Sequence, residues 1–274
     1  MIDLHSHTLH SDGQRTPEEL LDEAVAAGLT VLSLTDHDTV SGIADATRAA
    51  TQRGIRLVPG IELSCELHGR EVHVLGHLLD PLSPGLVRLA GEMLSERRER
   101  MEKMVARAQA AGFAKVTMER VIATSGGENF GRPHLARALV DCGHVASVKE
   151  AFDRFLRSGG PLYVDRRRLA VAEAVRLVRE AGGTSSIAHP GPNGISRQEL
   201  KACADVGLDA VEAHHPDHVP TQVEAYERWA ATLGLLVTAG SDYHGPAVQP
   251  GRKLADRTLS AERFAALEER ARSR

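Results

Sequence analysis

The 274-residue chain reads as an α/β fold, a barrel of strands and helices interrupted by a helical lobe. Three observations predict it. Residues 2–75 alternate short β-branched runs with amphipathic stretches, residues 84–168 carry helical periodicity only, and the alternation then resumes to the end of the chain. Two blocks of β/α units around an insertion imply a helix-covered parallel sheet. The barrel is assigned to residues 1–83 and 169–274, and the lobe to residues 84–168.

Ile2–His5 reads as the first strand. Thr16, Pro17 and Glu19 open a helix, supplying an N-cap, a proline at the first helical position and an acid at the third. That helix runs to Ala27 and stops at Gly28. Val31–Thr35 is the second strand, a helix over Gly42–Arg53 ends at Gly54, and Leu57–Ile61 is the third strand. Leu63–Leu67 and Glu71–Leu75 form a hairpin about His68-Gly69. In the lobe, Val87–Ala111 carries Leu89, Met93, Met101, Met104 and Val105 on a stripe that reads as core. Met118–Ala123, Pro133–Cys142 and Val148–Leu156 are shorter helices. The clusters Arg97-Arg98-Arg100 and Arg166-Arg167-Arg168 read as solvated charge. In the second block, helix Val171–Ala181 precedes strand Thr184–Ala188, helix Arg197–Asp205 precedes strand Ala210–Glu212, and helix Gln222–Leu233 precedes strand Leu235–Ala239. A helix over Ala261–Arg272 ends the chain.

Composition narrows the function. Lys+Arg number 33 against 37 Asp+Glu, so the net charge of −4 excludes a generally basic nucleic-acid coat and gives no reason to expect a DNA duplex as partner. A hydrophobic fraction of 42% excludes a disordered chain. Cys65, Cys142 and Cys203 are odd in number and lack CxxC spacing, which points to reduced thiols and a cytoplasmic setting. The opening Met-Ile-Asp-Leu-His has no signal-peptide pattern, no apolar run suits a membrane, and no obligate protein partner is expected.

The unusual quantity is histidine, with 14 residues against five Phe, three Tyr and one Trp. His5 and His7 close the first strand, and His37 follows the second. Glu62 ends the third and His73 lies in the hairpin. His189 ends the Ser186-Ile187-Ala188 strand, and His244 follows the last. These positions share the end of the sheet where α/β folds build their chemistry. His5-x-His7 and Asp242-x-His244 use the period of two that places both side chains on one side of an extended backbone. Imidazole and carboxylate donors without cysteine suit manganese, iron or zinc. His10, His68, His77 and His144 read as loop or surface residues.

His5-Ser6-His7 with Ser11-Asp12-Gly13, then Thr35-Asp36-His37-Asp38, Pro59-Gly60-Ile61-Glu62, Ala188-His189-Pro190 and Ser241-Asp242-Tyr243-His244 resemble, in order and spacing, the PHP (polymerase and histidinol phosphatase) family. The resemblance implies a distorted (β/α)7 barrel and a phosphoesterase centre of two or three divalent ions, manganese foremost. Carried over, His5, His7, Glu62 and Asp242 would hold the first ion. Glu62, bridging, with His73 and His189 would hold the second, and Asp12, His37 and His244 the third. Asp12 stands where other members place a histidine. Gly131-Arg132-Pro133-His134-Leu135-Ala136-Arg137 and Gly160-Pro161-Leu162-Tyr163-Val164 resemble the lobe of a branch containing bacterial nucleoside 3′,5′-bisphosphate phosphatases and 5′→3′ exoribonucleases.

The chemistry expected of such a centre is in-line attack on phosphorus by an ion-bridging hydroxide, with His5, His7, Glu62 and Asp242 as its catalytic frame. A guanidinium at Arg132 and an imidazolium at His134, at a helix start, would bind a second phosphate. His215, before Pro216, is the expected general acid or leaving-group contact. Asp36 and Asp38 flank His37 and are placed to orient it. The partner is then a small phosphorylated nucleotide or a short RNA end. Alternatives are a phosphatase or cyclic phosphodiesterase of another metabolite, such as AMP or histidinol phosphate, an amidohydrolase-type deaminase, and a non-catalytic PHP module. Lys103, Lys115, Lys149, Lys201 and Lys253 end no expected strand, which counts against a lysine-bridged deaminase.

Overall fold

The computed structural model describes residues 1–125 and 129–274. The first block contains β1 (Ile2–Asp3), α1 (Pro17–Ala26), β2 (Val31–Leu34), α2 (Ile43–Arg53), β3 (Arg56–Leu67) and β4 (Arg70–His77). The second contains β5 (Leu169–Ala170), α7 (Val171–Glu180), β6 (Thr184–Ile187), α8 (Arg197–Asp205), β7 (Ala210–His214), α9 (Pro220–Leu233), β8 (Leu236–Ala239) and α10 (Ala261–Arg272). The sheet runs β1-β2-β3-β4-β6-β7-β8, with the short β5 against β3. Backbone hydrogen bonds from Leu4 to Ala239 and from Asp242 to His5 join its two ends. The result is the expected distorted, nearly closed barrel.

Local chemistry accounts for most boundaries. The Thr16 hydroxyl accepts from Glu19 N–H while the Glu19 carboxylate accepts from Thr16 N–H, a complete capping box. Gly54 ends α2 at φ 67, a left-handed value that suits glycine. His68 at φ 51 and Gly69 at φ 77 form a tight hairpin turn whose two central residues both have positive φ.

The third strand differs from expectation. Leu57–Ile61 and Leu63–Leu67 belong to one 12-residue strand, so Glu62 lies inside β3 and His73 inside β4. Pro59-Gly60 lies within this strand, as expected. A Cβ on Gly60 would sit 2.6 Å from Ser33 Oγ and 2.9 Å from Gly76 O, so glycine is required by close packing inside the barrel. β4 runs antiparallel to both β3 and β6, which distorts an otherwise parallel barrel.

Between the blocks lie α3 (Pro84–Ala110), α4 (Met118–Ala123), α5 (Arg132–Asp141) and α6 (Val148–Ala151), the last continuing as a π-helical turn over Phe152–Leu156. Their apolar cluster, including Met101, Met104, Phe130, Leu135 and Leu139, is drawn from residues 101–164. The methionine stripe is core, as expected. Of the arginines read as solvated charge, Arg98 and Arg167 are exposed and the others depart from that reading. Arg97 and Arg100 are buried on α3, and Arg166 carries a side chain only 13% exposed. His77 is likewise buried, inside the barrel against Ser33.

Among the described residues, no helix is long and apolar enough to cross a membrane.

Candidate metal centre

The chain after β1 stays extended and bridges Ser6 to Tyr243. Ser6 points away, its hydroxyl donating to Ser33 O at 2.7 Å, so His5 and His7 face the barrel mouth together. The following loop folds back onto His7 and needs Gly13, where a Cβ would lie 2.6 Å from His7 O. Asp36 ties that loop down, accepting from Thr8 N–H at 2.8 Å, Thr8 Oγ1 at 2.6 Å and Ser11 Oγ at 2.6 Å. Asp12 is thereby set beside His37 and His244. Asp38, His189 and Asp242 take positive φ values of 55°, 26° and 52°. Backbone of this kind costs roughly 1–3 kcal/mol per residue and collects at functional sites.

Glu62 is the hub. Its Oε1 lies 2.8 Å from His73 Nδ1 and 3.0 Å from His189 Nε2, and its Oε2 lies 3.2 Å from His7 Nε2 and 3.4 Å from His5 Nε2. Asp242 Oδ1 lies 3.4 Å from His5 Nε2 and 3.3 Å from His7 Nε2. Asp12 Oδ1 is 3.2 Å from His244 Nε2 and 3.9 Å from His37 Nε2. Donor atoms within 4.8 Å of one another fall into overlapping groups: His5-His7-Asp242, His5-Glu62-His189, His37-Glu62-His73 and His7-Asp12-His37-His244. All nine residues expected at the centre are therefore brought together.

The residues fit divalent ions on a direct observation. His5 Nε2, His7 Nε2, Asp12 Oδ1, His37 Nδ1 and Glu62 Oε2 are buried, and none makes a hydrogen bond among the described residues. Five such atoms facing the same cluster are costly unless a cation meets them. Burial opposes charge on His7, but the Asp242 and Glu62 carboxylates beside its Nε2 outweigh it and raise the ring to about 10. Burial likewise opposes charge on His73, and the Glu62 carboxylate outweighs it, raising that ring to about 9. At His37 burial prevails over Glu62 and Asp12, lowering it to about 3.

Two carboxylates brace this cluster. Glu212, fully buried in β7, accepts at 2.9 Å from His5 Nδ1 and at 2.7 Å from His189 N–H. This fixes the His5 tautomer with Nε2 free to coordinate. Sequence reading treated Glu212 only as a strand end, and its place in line with Glu62 and His189 was the available signal. Asp38 does not orient His37 directly. It accepts from Ser64 N–H at 2.7 Å and pairs with Arg97, whose charge, with that of Arg166, overcomes burial and holds the carboxyl well below its usual range.

A small cavity of about 110 Å³ opens beside His37 and His73, lined also by Arg97, Arg100, Arg132 and Arg166. Arg166 pairs with Glu71 and Asp38, and Arg132 lies 3.6 Å from Glu71 Oε2 and over the Phe152 and Tyr163 rings. Arg100 has no carboxylate partner among the described residues. Its Nε donates to Val164 O at 2.7 Å, and burial together with neighbouring guanidinium charge lowers it to about 9. Arg132 is thus where the sequence placed it. His134 is not a cationic donor: it is buried, Nδ1 accepts from Gly131 N–H at 2.9 Å, and burial lowers it to about 4. A neutral ring that caps its own helix start replaces the expected imidazolium. His215 faces the donor cluster, with Nδ1 accepting from Asp217 N–H at 3.1 Å and Nε2 3.4 Å from Asp242 Oδ2.

Residues 3–90 match the family model of the PHP domain. The chain is also 34% identical to the 3′,5′-nucleoside bisphosphate phosphatase of Chromobacterium violaceum, across 89% of this chain and 87% of that protein. The chain belongs to the PHP family. A second relative, the 5′-3′ exoribonuclease Rnm of Salmonella typhimurium, is 31% identical across 93% of this chain and 89% of its own. A solved structure, a candidate metal-dependent phosphoesterase from Bifidobacterium adolescentis, superposes with a TM-score of 0.90 at 31% identity, covering 98% of this chain and 96% of the other. This PHP protein is a metal-dependent phosphoesterase, a hydrolase of phosphoric esters.

Proposed function

We propose that the protein removes the 3′-phosphate from nucleoside 3′,5′-bisphosphates and also trims short 5′-phosphorylated RNA from its 5′ end, in the cytoplasm, with two or three divalent ions, manganese foremost. One observation carries this reading. The arginine cavity adjoins His37 and His73, so a second anion has its own site next to the donor cluster. A monoester with one phosphate would leave Arg100 buried and unpaired.

His5, His7, Glu62 and Asp242 would hold one ion, Glu62, His73 and His189 a second, and Asp12, His37 and His244 a third. Bound divalent ions lower the pKa of water and offset the charge of a phosphoryl group. Glu212 keeps His5 and the His189 backbone in place for that task. Arg100 and Arg132 would anchor the non-reacting 5′-phosphate by charge-assisted hydrogen bonds. The cavity's small volume favours a terminal phosphoryl group over an internal diester, which suits both a bisphosphate and an RNA 5′ end. His215, with Nε2 3.4 Å from Asp242 Oδ2, would meet the leaving oxygen.

The test is to purify the protein with Mn²⁺, count its ions, and compare adenosine 3′,5′-bisphosphate, AMP, histidinol phosphate and a 5′-phosphorylated trinucleotide. Two or three ions per chain, a marked preference for the bisphosphate over AMP and histidinol phosphate, and shortening of the trinucleotide from its 5′ end are expected. Phosphate release from none of the four, or a preference for histidinol phosphate, overturns the reading.

A further inference from the structure

A larger cleft of about 620 Å³ touches both parts of the site. It shares Asp12, Pro133 and Phe152 with the arginine cavity, and Asp12 and His244 with the donor cluster. Val148 and Phe152 of the lobe line one side, and Val248 and Pro250, on the loop after β8, line the other. That loop is a defined wall. Gly245 turns the chain at φ 101, where a Cβ would meet the Gln14 side chain at 2.8 Å, and Gln14 Oε1 accepts from Ala247 N–H at 2.7 Å. Apart from Asp12 and His244 at the metal end, Lys149 is the cleft's charged residue, and it pairs with Asp153 at 2.5 Å. Gln249 also lines the cleft, and its Oε1 is buried without a hydrogen-bond partner among the described residues.

We propose that this cleft receives the nucleobase of the substrate, with the Gln249 carboxamide hydrogen-bonding the base edge. The inference rests on the bisphosphate phosphatase reading and adds the part of the substrate that recognises neither ion nor arginine. With one phosphate on the arginines and the other at the donor cluster, the sugar spans the two sites. The base then projects into a cleft that borders both. Apolar walls suit a neutral planar ring, and a carboxamide supplies the adjacent donor and acceptor that base edges complement. The orphaned Gln249 oxygen is satisfied by such a partner. A ligand of 3′,5′-bisphosphorylated ribose without a base would leave it unsatisfied.

The experiment compares kcat/KM for adenosine 3′,5′-bisphosphate and for base-free ribose 3,5-bisphosphate, in the Mn²⁺-loaded protein and in Gln249→Ala and Val148→Asp. In parallel, calorimetry compares the affinities of AMP and ribose 5-phosphate. The wild type is expected to favour the nucleotide by about tenfold or more in both measurements, the scale of one base stacked on a side-chain wall. Both variants are expected to cut that preference at least about threefold, and because Val148 also packs against the lobe core, retained turnover of base-free ribose 3,5-bisphosphate shows that each variant is folded. A wild-type preference near one, or a preference that neither variant moves, overturns the base cleft while the phosphatase reading stands. If neither bisphosphate releases phosphate, the phosphatase reading falls and the base cleft falls with it.

Discussion

Arg132 and Arg100 show how a buried charge becomes informative. A guanidinium taken out of water needs a partner, and among the described residues Arg100 finds a carbonyl and the Tyr163 ring but no carboxylate. Glu71 is shared among Arg132, Arg166 and Arg168, so the cavity keeps an excess of positive charge even with its own carboxylates counted. An anion such as a phosphoryl group removes that imbalance. Arg132→Ala is therefore expected to raise KM for adenosine 3′,5′-bisphosphate at least about tenfold more than KM for a minimal aryl phosphate, in line with the strength of charged hydrogen bonds. Equal changes for the two substrates would separate Arg132 from the second phosphate. His134 gives the contrary lesson, since the same helix start turns it inward and neutral.

Elements matter here chiefly through the seam between β1 and β8. His5 belongs to the chain leaving β1, Asp242 to the chain leaving β8, and the two segments are joined by the Asp242 N–H donating to His5 O at 2.9 Å. Gly240 makes that approach possible, because a Cβ there would lie 2.3 Å from His5 Cβ and 2.7 Å from His5 N. Gly240→Ala is expected to force the seam apart at a cost of about 1–3 kcal/mol. The readouts are a Tm lowered by several degrees, roughly 2–4 °C per kcal/mol in a chain of this size, and fewer bound ions per chain. Wild-type values for both would show that the seam can absorb a methyl group.

For the whole molecule, ion binding couples to stability and to pH. His7 and His73 are raised above their ordinary value, so in the ion-free protein their contribution is full below about 6.5, the unfolded value, and is lost as pH rises through about 9 to 10. Coordination needs those rings neutral, so ions displace protons and bind more tightly as pH rises. At a fixed, sub-saturating Mn²⁺ concentration, the gain in Tm over chelated protein is expected to be larger at pH 8 than at pH 6. A gain that is flat or larger at pH 6 would show that these rings do not compete with the ion. Proton release, read by calorimetry in buffers of different ionisation enthalpy, gives a second check.

The sequence alone singled out the nine side chains that the fold gathers at the barrel mouth. His5-x-His7 and Asp242-x-His244 are local patterns, written in the two-residue period of an extended backbone, whereas Glu62 and His73 lie inside long strands. It also determined most helix boundaries, because capping residues such as Thr16, Gly54 and Ser196 act on their own turn. Other features depended on distant neighbours. The need for glycine at position 60 shows only when Ser33 and Gly76 are packed against it. Arg97, Arg100 and Arg166 look like surface charge until α3 and the chain before β5 close over the barrel mouth. Glu212 looks like a strand end until His5, 207 residues away, turns its Nδ1 towards it. Side-chain type and local period are properties of a segment, whereas burial and pairing belong to the assembled molecule. Only the tertiary structure decided which charges face water and which are buried, because burial depends on segments far apart in the chain.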